Sequence, residues 1–426
     1  MNRVLALILA GGAGERLSLL CHDRAKPAVP FAGKYRIIDF ALSNCANSGI
    51  YKLAVLTQYN PFSLADHIGN GHAWGFDRRD SAARLLHPYR GFDKAEWYRD
   101  TGDAVYQNLF FVEEQQVDEV LILGGDHVYM MRYNEMSDFH RHNKADVTVG
   151  VVTVAPEETS RFGIVILGED NRIKEFEEKP VVAKSNLAST GIYIFSKQVL
   201  MKVLDRYGGK ATGSDFGRDI VPSMLDDYRV YAFRMKGYWR DVGAIQAYWE
   251  TSMDLLREKP PLNMYDVDQP VLTIPDRGVS AKVGRDAVIN LAMLSNNCIV
   301  DGEVRNSVLS PGVRVERGAR VIDSIIFNDS IIRSGATVDR SIVDKNCTLG
   351  PDSYIGYGDD LRPNTDEPGH LNTGITLVGK GAKVKGGVKV GRNCKIGCYV
   401  EPEDFDSDFV QSGASMHQKT PKRFHI

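Results

Sequence analysis

The run from Val304 to Ile355, VRNSVLSPGVRVERGARVIDSIIFNDSIIRSGATVDRSIVDKNCTLGPDSYI, decides the architecture of the second half of this chain. Its aliphatic positions Val304, Leu309, Val315, Val321, Ile326, Ile332, Val338, Val343, Leu349 and Ile355 recur at intervals of 5, 6, 6, 5, 6, 6, 5, 6 and 6 residues. Three apolar positions therefore return every 17 residues, three times running. An amphipathic helix shows spacings of three and four, and a half-buried strand a spacing of two. Repeats near six, with Gly312, Gly318, Gly335, Asn346 and Gly350 between them, predict a three-sided parallel β-helix whose stacked coils share one core. Val378, Val384, Val390 and Ile396 resume the pattern at strict sixes after an interruption near 357–374. Such a stack has exposed edges that stacking or subunit association would cover.

The first 250 residues follow another rule. Short apolar runs at Val4–Leu9, Leu53–Thr57, Val120–Leu123, Val147–Val154, Ile164–Leu167 and Gly191–Phe195 read as strands. Helical patterns lie between them at Phe40–Ser48, Ala104–Val117 and Asn134–Asn143. Strands apolar on both faces, alternating with helices, predict a Rossmann-like, mostly parallel sheet covered by helices. Ligands of such sheets bind beyond the carboxyl ends of the strands. The expected organisation is a catalytic domain over 1–250, a proline-containing linker over 251–277, the β-helix over 278–400, and a tail over 401–426.

Composition narrows the functional classes. Among 426 residues, 52 basic and 55 acidic side chains leave a net charge of −3, too weak a field for a nucleic-acid or acidic-membrane binder. The early apolar run Val4–Ala10 is far short of the ~20 residues that a membrane span needs, and it leads into glycines without a cleavage site. Six scattered cysteines form no C-x-x-C and predict free thiols in a reducing cytoplasm.

Chemistry gathers in the first half. The first strand empties into Leu9-Ala10-Gly11-Gly12-Ala13-Gly14-Glu15-Arg16-Leu17, where bare backbone N–H groups can approach phosphate oxygens. A Rossmann fingerprint fails at Leu17, and no Walker Lys-Ser/Thr follows Gly14. Arg16 and Lys26, in Lys26-Pro27-Ala28, supply charge against several phosphate oxygens. Asp126, in Gly124-Gly125-Asp126-His127 after a buried strand, stands where a Mg²⁺ ligand is expected, or else it caps the segment that follows. Phe176-Glu177-Glu178-Lys179-Pro180, Ser189-Thr190-Gly191-Ile192-Tyr193 and Tyr238-Trp239-Arg240-Asp241-Val242-Gly243 complete the set. In it Lys179 suits a sugar phosphate, and Asp241 offers the second carboxylate for a shared metal.

Together, L-A-G-G-x-G-x-R-L, R-A-K-P-A, R-I-I-D-F-A-L-S-N, G-D-H, F-x-E-K-P, D-F-G-R-D-I-V-P and Y-W-R-D-V-G resemble the bacterial ADP-glucose pyrophosphorylase (glucose-1-phosphate adenylyltransferase) family. The likeness runs along the whole catalytic half and continues, less specifically, into the β-helix, which the resemblance makes a left-handed hexapeptide-repeat domain. It implies that ATP and glucose 1-phosphate give ADP-glucose and diphosphate with Mg²⁺, for glycogen synthesis. By the same resemblance Leu9, Ala10, Gly11, Gly12, Gly14, Gly102 and Asp103 bind nucleotide. Arg16, Lys26 and Asp126 serve catalysis, and Asp126 and Asp241 hold the metal. Tyr98, Gly163, Glu178, Lys179 and Ser189 meet glucose 1-phosphate. The family is typically an allosteric homotetramer whose small-molecule effectors bind near the β-helix.

This chain departs from the family pattern in three places. W-Y-x-G-T-A-D-A is here Trp97-Tyr98-Arg99-Asp100-Thr101-Gly102-Asp103-Ala104, which puts the Asp100 carboxylate beside the presumed nucleotide pocket. Asp23 stands where a basic residue usually meets a sugar-phosphate activator, and Ala13 replaces a common arginine. Three rival readings are a pyrophosphorylase for UDP-glucose, dTDP-glucose or GDP-mannose, a non-catalytic regulatory subunit, and an acyltransferase. The subunit reading is opposed by the presence of Arg16, Lys26, Asp126, Lys179 and Asp241. An acyltransferase would need a β-helix histidine, and His370 lies in the interruption.

Overall fold

The computed structural model describes residues 3–77, 82–88, 97–207, 215–275 and 278–419. The chain divides into two compact units, and each draws on separated stretches. The first comprises Met1–Ala13, Ile38–Trp239 and Tyr265–Ile274, and the second Gly14–Ile37, Arg240–Met264 and Pro275–Ile426.

A nine-stranded sheet forms the first unit. Its main path runs Ile173–Glu178, Gly163–Leu167, Leu187–Ser196, Glu119–Gly124, Val4–Ala10, Lys52–Thr57 and Ala82–Leu86. Val147–Thr153 joins beside Leu187–Ser196, and Val230–Arg234 joins beside Val147–Thr153. The Val4–Ala10 strand lies parallel to both neighbours, and Leu9 is level with Leu56 and Gly124. Their carboxyl ends therefore open side by side onto Gly11, Gln58 and Gly125. Leu187–Ser196 runs antiparallel to three neighbours, so the sheet is mixed on that side. Leu5, Leu7, Val120, Ile122, Val147, Val149 and Phe195 form its core with Leu200 and Leu204 of the Lys197–Tyr207 helix. The expected helix over Ala104–Val117 is two helices, Thr101–Gln107 and Leu109–Glu114, broken at Asn108. The Asn108 amide turns back to bond the Ala104 carbonyl and the Tyr98 hydroxyl.

The 17-residue period of the second unit is the coil height. Val304 pairs with Val321, Val321 with Val338, and Val338 with Ile355, all in parallel register. Leu309, Ile326 and Val343 stack on a second face, and Val315, Ile332 and Leu349 on a third. All ten are buried against one another, and full burial of each contributes roughly 1.5–3 kcal/mol. The next coil is longer: Ile355 pairs with Val390 and Leu349 with Val384, each 35 residues on, which places the interruption in a loop. Corners turn through left-handed backbone at Asn306, Asp323 and Arg340, again 17 apart. A serine ladder satisfies the neighbouring backbone: Ser324 N–H donates to Ser307 Oγ, and Ser341 N–H to Ser324 Oγ.

These boundaries correct the expected ones. Phe409–Val410 and Ser415–Met416 continue the β-helix onto Lys389–Gly391 and Lys395–Ile396, so residues 401–416 are coil rather than tail. Gly14–Ile37 and Arg240–Met264 cluster with the β-helix, although the sequence assigned most of them to the catalytic domain. The Ile245–Asp254 helix explains part of this grouping. Its Tyr248 donates a hydrogen bond to the Pro30 carbonyl, while its Trp249 donates to the Asp323 carbonyl at 2.8 Å and lies under the Arg340 guanidinium.

Candidate active site

The first unit builds a ring of side chains at the carboxyl end of its sheet. Asp126 follows the Glu119–Gly124 strand, with its carboxylate 3.5 Å from His127 Nε2. The His127 ring leans on Trp239 at 5.1 Å, and Trp239 meets Phe162 edge-on at 5.5 Å. Gly163 follows Phe162, and a Cβ there would fall 2.7 Å from Glu178 Oε2 and 2.6 Å from the Phe176 ring. Glu178 also borders Gly217, and Phe216 stacks on Tyr193 at 5.7 Å. Tyr193 reaches Ser189 Oγ at 3.5 Å, and His127 Cε1 closes the ring 3.7 Å from where a Gly191 Cβ would stand.

Two polar atoms of this ring are buried without a hydrogen-bond partner, His127 Nδ1 and the Trp239 indole N–H. A buried polar atom without a partner costs about 1–3 kcal/mol, so a polar ligand that bonds it recovers that cost. Lys179 has left-handed backbone, φ 48°, an unusual state for a long side chain, and its amine is 3.3 Å from Glu178 Oε1. Of the expected sugar-phosphate residues, Gly163, Glu178, Lys179 and Ser189 gather here. Tyr98 is a buried neighbour of a second cluster.

That cluster lies at the end of the Lys52–Thr57 strand. Gln58 Cβ sits 3.2 Å from where a Gly11 Cβ would be. The Gln58 amide takes the Tyr98 N–H at 2.7 Å and donates to the Tyr98 carbonyl at 3.2 Å. Gly12 is exposed, with open space where a side chain would lie, and Gly125 N–H bonds the Leu9 carbonyl. Gly102 is buried in the first turn of the Thr101–Gln107 helix. Asp103 Oδ2 accepts from Arg99 N–H and the Gln107 amide, which fixes the loop ahead of that helix. The Asp100 carboxylate, expected beside the nucleotide, is held by Arg218 at 2.9 Å.

The second unit carries the remaining charges. Gly14, at φ 71°, leaves no room for a side chain against Cys21 Sγ and Lys26 Cβ. Lys26 is buried, with Nζ 3.0 Å from Asp241 Oδ1. Arg16 Nη2 stands 2.8 Å from where a Gly243 Cβ would be, and Asp241 Oδ1 lies 2.7 Å from that point. Arg16, Lys26, Asp241 and the bare backbone of Gly243 therefore share one neighbourhood. A carboxylate beside two cations with open backbone between them is an anion-handling arrangement.

A third cluster surrounds the Asp23–Arg24 turn. Arg24 donates twice to Asp344 at 3.0 Å. Asp23 accepts from Lys380 Nζ at 3.1 Å and from Tyr399 Oη at 2.9 Å. Burial works to raise the Asp23 carboxyl, but bonds from His22, Tyr399 and Lys380 outweigh it and hold the group at about 2. Asp23 thus binds a β-helix cation, Lys380, and a β-helix phenol, Tyr399, directly. Lys345, also facing Arg36, Arg24 and Lys380, is pushed down to about 8, chiefly by burial.

Sequence reasoning passed over Gln58, His127, Tyr193, Asp215, Phe216 and Trp239. D-F-G-R-D and Y-W-R-D were visible as strings, but no spacing rule ties Phe216 to Tyr193 across 23 residues. Only the sheet brings them together.

The fold and these clusters define a nucleotidyltransferase. Residues 5–258 match the Nucleotidyl transferase family, and residues 274–378 match the GlmU-like, C-terminal hexapeptide family. The glucose-1-phosphate adenylyltransferase of Thermomicrobium roseum is 51% identical over 420 residues, covering 98% of both chains. Those of Acetivibrio thermocellus and Thermotoga neapolitana are 43% and 44% identical over 417 residues, covering 97% of this chain and 98% of theirs. The chain belongs to the glucose-1-phosphate adenylyltransferase family.

Proposed function

We propose that this protein transfers the adenylyl group of ATP to glucose 1-phosphate, giving ADP-glucose and diphosphate for α-glucan synthesis. Besides the family, one observation carries the reading: the ring around Glu178, where bare Gly163, Gly191 and Gly217 leave room among two orphaned polar nitrogens and an aromatic shelf. Such a concave, polar-and-aromatic pocket suits a hexose. A phosphate oxygen of the sugar phosphate, already ionised at neutral pH, attacks the α-phosphorus of ATP in line, and diphosphate leaves. No general base is required, and the chain's part is positioning and charge neutralisation.

Glu178 accepts from sugar hydroxyls, Lys179 binds the sugar's phosphate, and Ser189 and Tyr98 border it. Leu9, Ala10, Gly11, Gly12 and Gly14 present backbone to the nucleotide, with Gly102 and Asp103 at its base. Arg16 and Lys26 neutralise the departing diphosphate. Asp126 and Asp241 offer the hard carboxylate oxygens that suit Mg²⁺. We assign both to Mg²⁺, which supplies charge neutralisation at the phosphates.

Anionic effectors are expected at Arg24, Arg36, Lys345 and Lys380, where the mutual repulsion of the cations would be relieved. The exposed Val283, Val288, Ile289 and Leu291 on the first coil favour the homotetramer usual in the family. Six free thiols fit a reducing cytoplasm, and no helix among the described residues is long and apolar enough to cross a membrane. The test is diphosphate release over a panel of nucleoside triphosphates and sugar 1-phosphates. A preference for UTP, dTTP or GTP over ATP would overturn the reading.

A further inference from the structure

Asp100 and Arg218 are polar groups that the proposed reaction leaves without a role. They join two segments that serve different substrates. The Trp97–Gly102 loop reaches the nucleotide side: it carries Gly102, and its Tyr98, which itself borders the sugar phosphate, is clamped by two hydrogen bonds to Gln58, which packs against Gly11. The Asp215–Ile220 turn belongs to the sugar side. Its Phe216 stacks on Tyr193, and its Gly217 lies where a Cβ would be 3.1 Å from Glu178 Oε2.

Two links span the segments. The inner one is Thr101 Oγ1, which donates to Asp215 Oδ2 at 2.8 Å and accepts from Phe216 N–H at 3.1 Å. The outer one is the 2.9 Å ion pair between Asp100 Oδ2 and Arg218 Nη2. Arg218 is aimed from behind, because Asp219 takes its Nε and Nη2 while also accepting the Asp215 N–H. Asp215 in turn caps the turn by accepting from Gly217 and Arg218 N–H, each at 2.9 Å. A continuous chain of contacts therefore runs from Gly11 through Gln58, Tyr98, Asp100 and Arg218 to Gly217 and Glu178.

We propose that the Asp100–Arg218 pair is a latch that couples the two substrate sites, so that ordering the loop around nucleotide also orders the turn that borders the hexose. This rests on the reading of the two sites given above. Asp100 is a positioning residue: it acts through Arg218 and touches neither substrate. A glycine there, as in the wider family pattern, would leave only the Thr101 link.

The experiment is an initial-rate grid in ATP and glucose 1-phosphate for the full-length protein, Asp100→Asn, Arg218→Gln, the double variant and Asp100→Glu. The readout is the factor by which saturating ATP lowers the KM for glucose 1-phosphate. An exposed ion pair of this kind predicts that Asp100→Asn shrinks the factor by about two- to fivefold, with kcat changed by less than about twofold. Arg218→Gln should do the same, the double variant should add nothing further, and Asp100→Glu should restore most of the coupling. Added salt should weaken coupling in the parent and leave Asp100→Asn unaffected. A factor unchanged in Asp100→Asn, or additive effects in the double variant, would overturn the latch. A parent protein active on ATP and glucose 1-phosphate keeps the functional reading intact in that case, whereas a parent inactive on both overturns the reading itself.

Discussion

Replacing Lys345 by methionine should stabilise the protein at neutral pH. The Lys345 amine is held down to about 8 against an ordinary 10.5, first by burial and then by the Arg36 and Arg24 guanidinium charges. Arg24 is already engaged with Asp344, so that carboxylate compensates Lys345 incompletely. Between these two values the unfolded chain binds a proton that the folded chain has lost, so stability rises with pH across that window. Below about 8 both states are protonated and the folded state bears the whole cost. The difference of about 2.5 units gives a ceiling of ~3 kcal/mol at 1.36 kcal/mol per unit, and partial solvent access brings the expected cost to ~1–2 kcal/mol. Methionine keeps the stem's packing and removes the charge. Thermal melts of parent and Lys345→Met at pH 7 and pH 10 provide the assay. The variant should melt higher at pH 7, and its advantage should fade by pH 10. A polyvalent phosphate should raise the melting temperature of the parent and have less effect on the variant. A variant that melts lower at pH 7, or an advantage independent of pH, would refute the electrostatic account.

Three further outcomes test the site. Asp126→Ala should lower kcat by a factor on the order of 10³ while the circular dichroism spectrum and melting temperature hold, since the lost carboxylate would hold the Mg²⁺ that neutralises phosphate charge; near-parental turnover would remove Asp126 from the metal assignment. Gly163→Ala should raise the KM for glucose 1-phosphate about tenfold or more, because the added methyl meets Phe176 and Glu178 inside 3 Å and overpacking of this kind costs ~1–3 kcal/mol. An unchanged KM with normal stability would place the sugar elsewhere. Asp23→Asn should cost ~1 kcal/mol at pH 7. The Asp23 pKa is depressed to about 2 from 3.8, so its stabilisation is complete above about pH 4 and is lost as pH falls through about 2. Melting curves of parent and variant should therefore converge on acidification, and divergence would contradict the bonds to Lys380 and Tyr399.

The β-helix could be read from the sequence because its core is periodic. One inward side chain per face, repeated every 17 residues, is at once a sequence rule and the pairing register of Val304, Val321, Val338 and Ile355. Even the interruption was visible as a break in that count. The strands of the first unit were legible for a related reason, being short apolar runs alternating with helical patterns. The antiparallel setting of Leu187–Ser196 was not, since a strand buried on both faces has the same composition in either direction. Site residues divide in the same way. Gly11, Asp126 and Lys179 sit in strings whose chemistry is local. Tyr193, Phe216 and Trp239 acquire meaning only when separate strands and turns converge. Asp100 shows a third limit. Its charge suggested an effect on the nucleotide, but the partner that consumes it, Arg218, lies 118 residues away.

The charged groups named above are divided between the two units. Gly11, Gly12, Asp126 and the residues around Glu178 belong to the sheet unit, whereas Arg16, Lys26 and Asp241 belong to the unit that holds the β-helix. Within that second unit, Asp23 and Arg24 bind Lys380 and Asp344 of the coils, and two residues further on Lys26 binds Asp241. One short stretch of chain therefore carries both the ion pairs to the coils and the Lys26–Asp241 pair. The Ala25 linker is extended, and Pro27 follows Lys26, so neither end of the stretch has slack to absorb a shift. An anion bound at Lys345 and Lys380, as proposed above, would compete with Asp23 for Lys380, and the stretch from Asp23 to Lys26 is the path by which that competition would reach the Lys26–Asp241 pair.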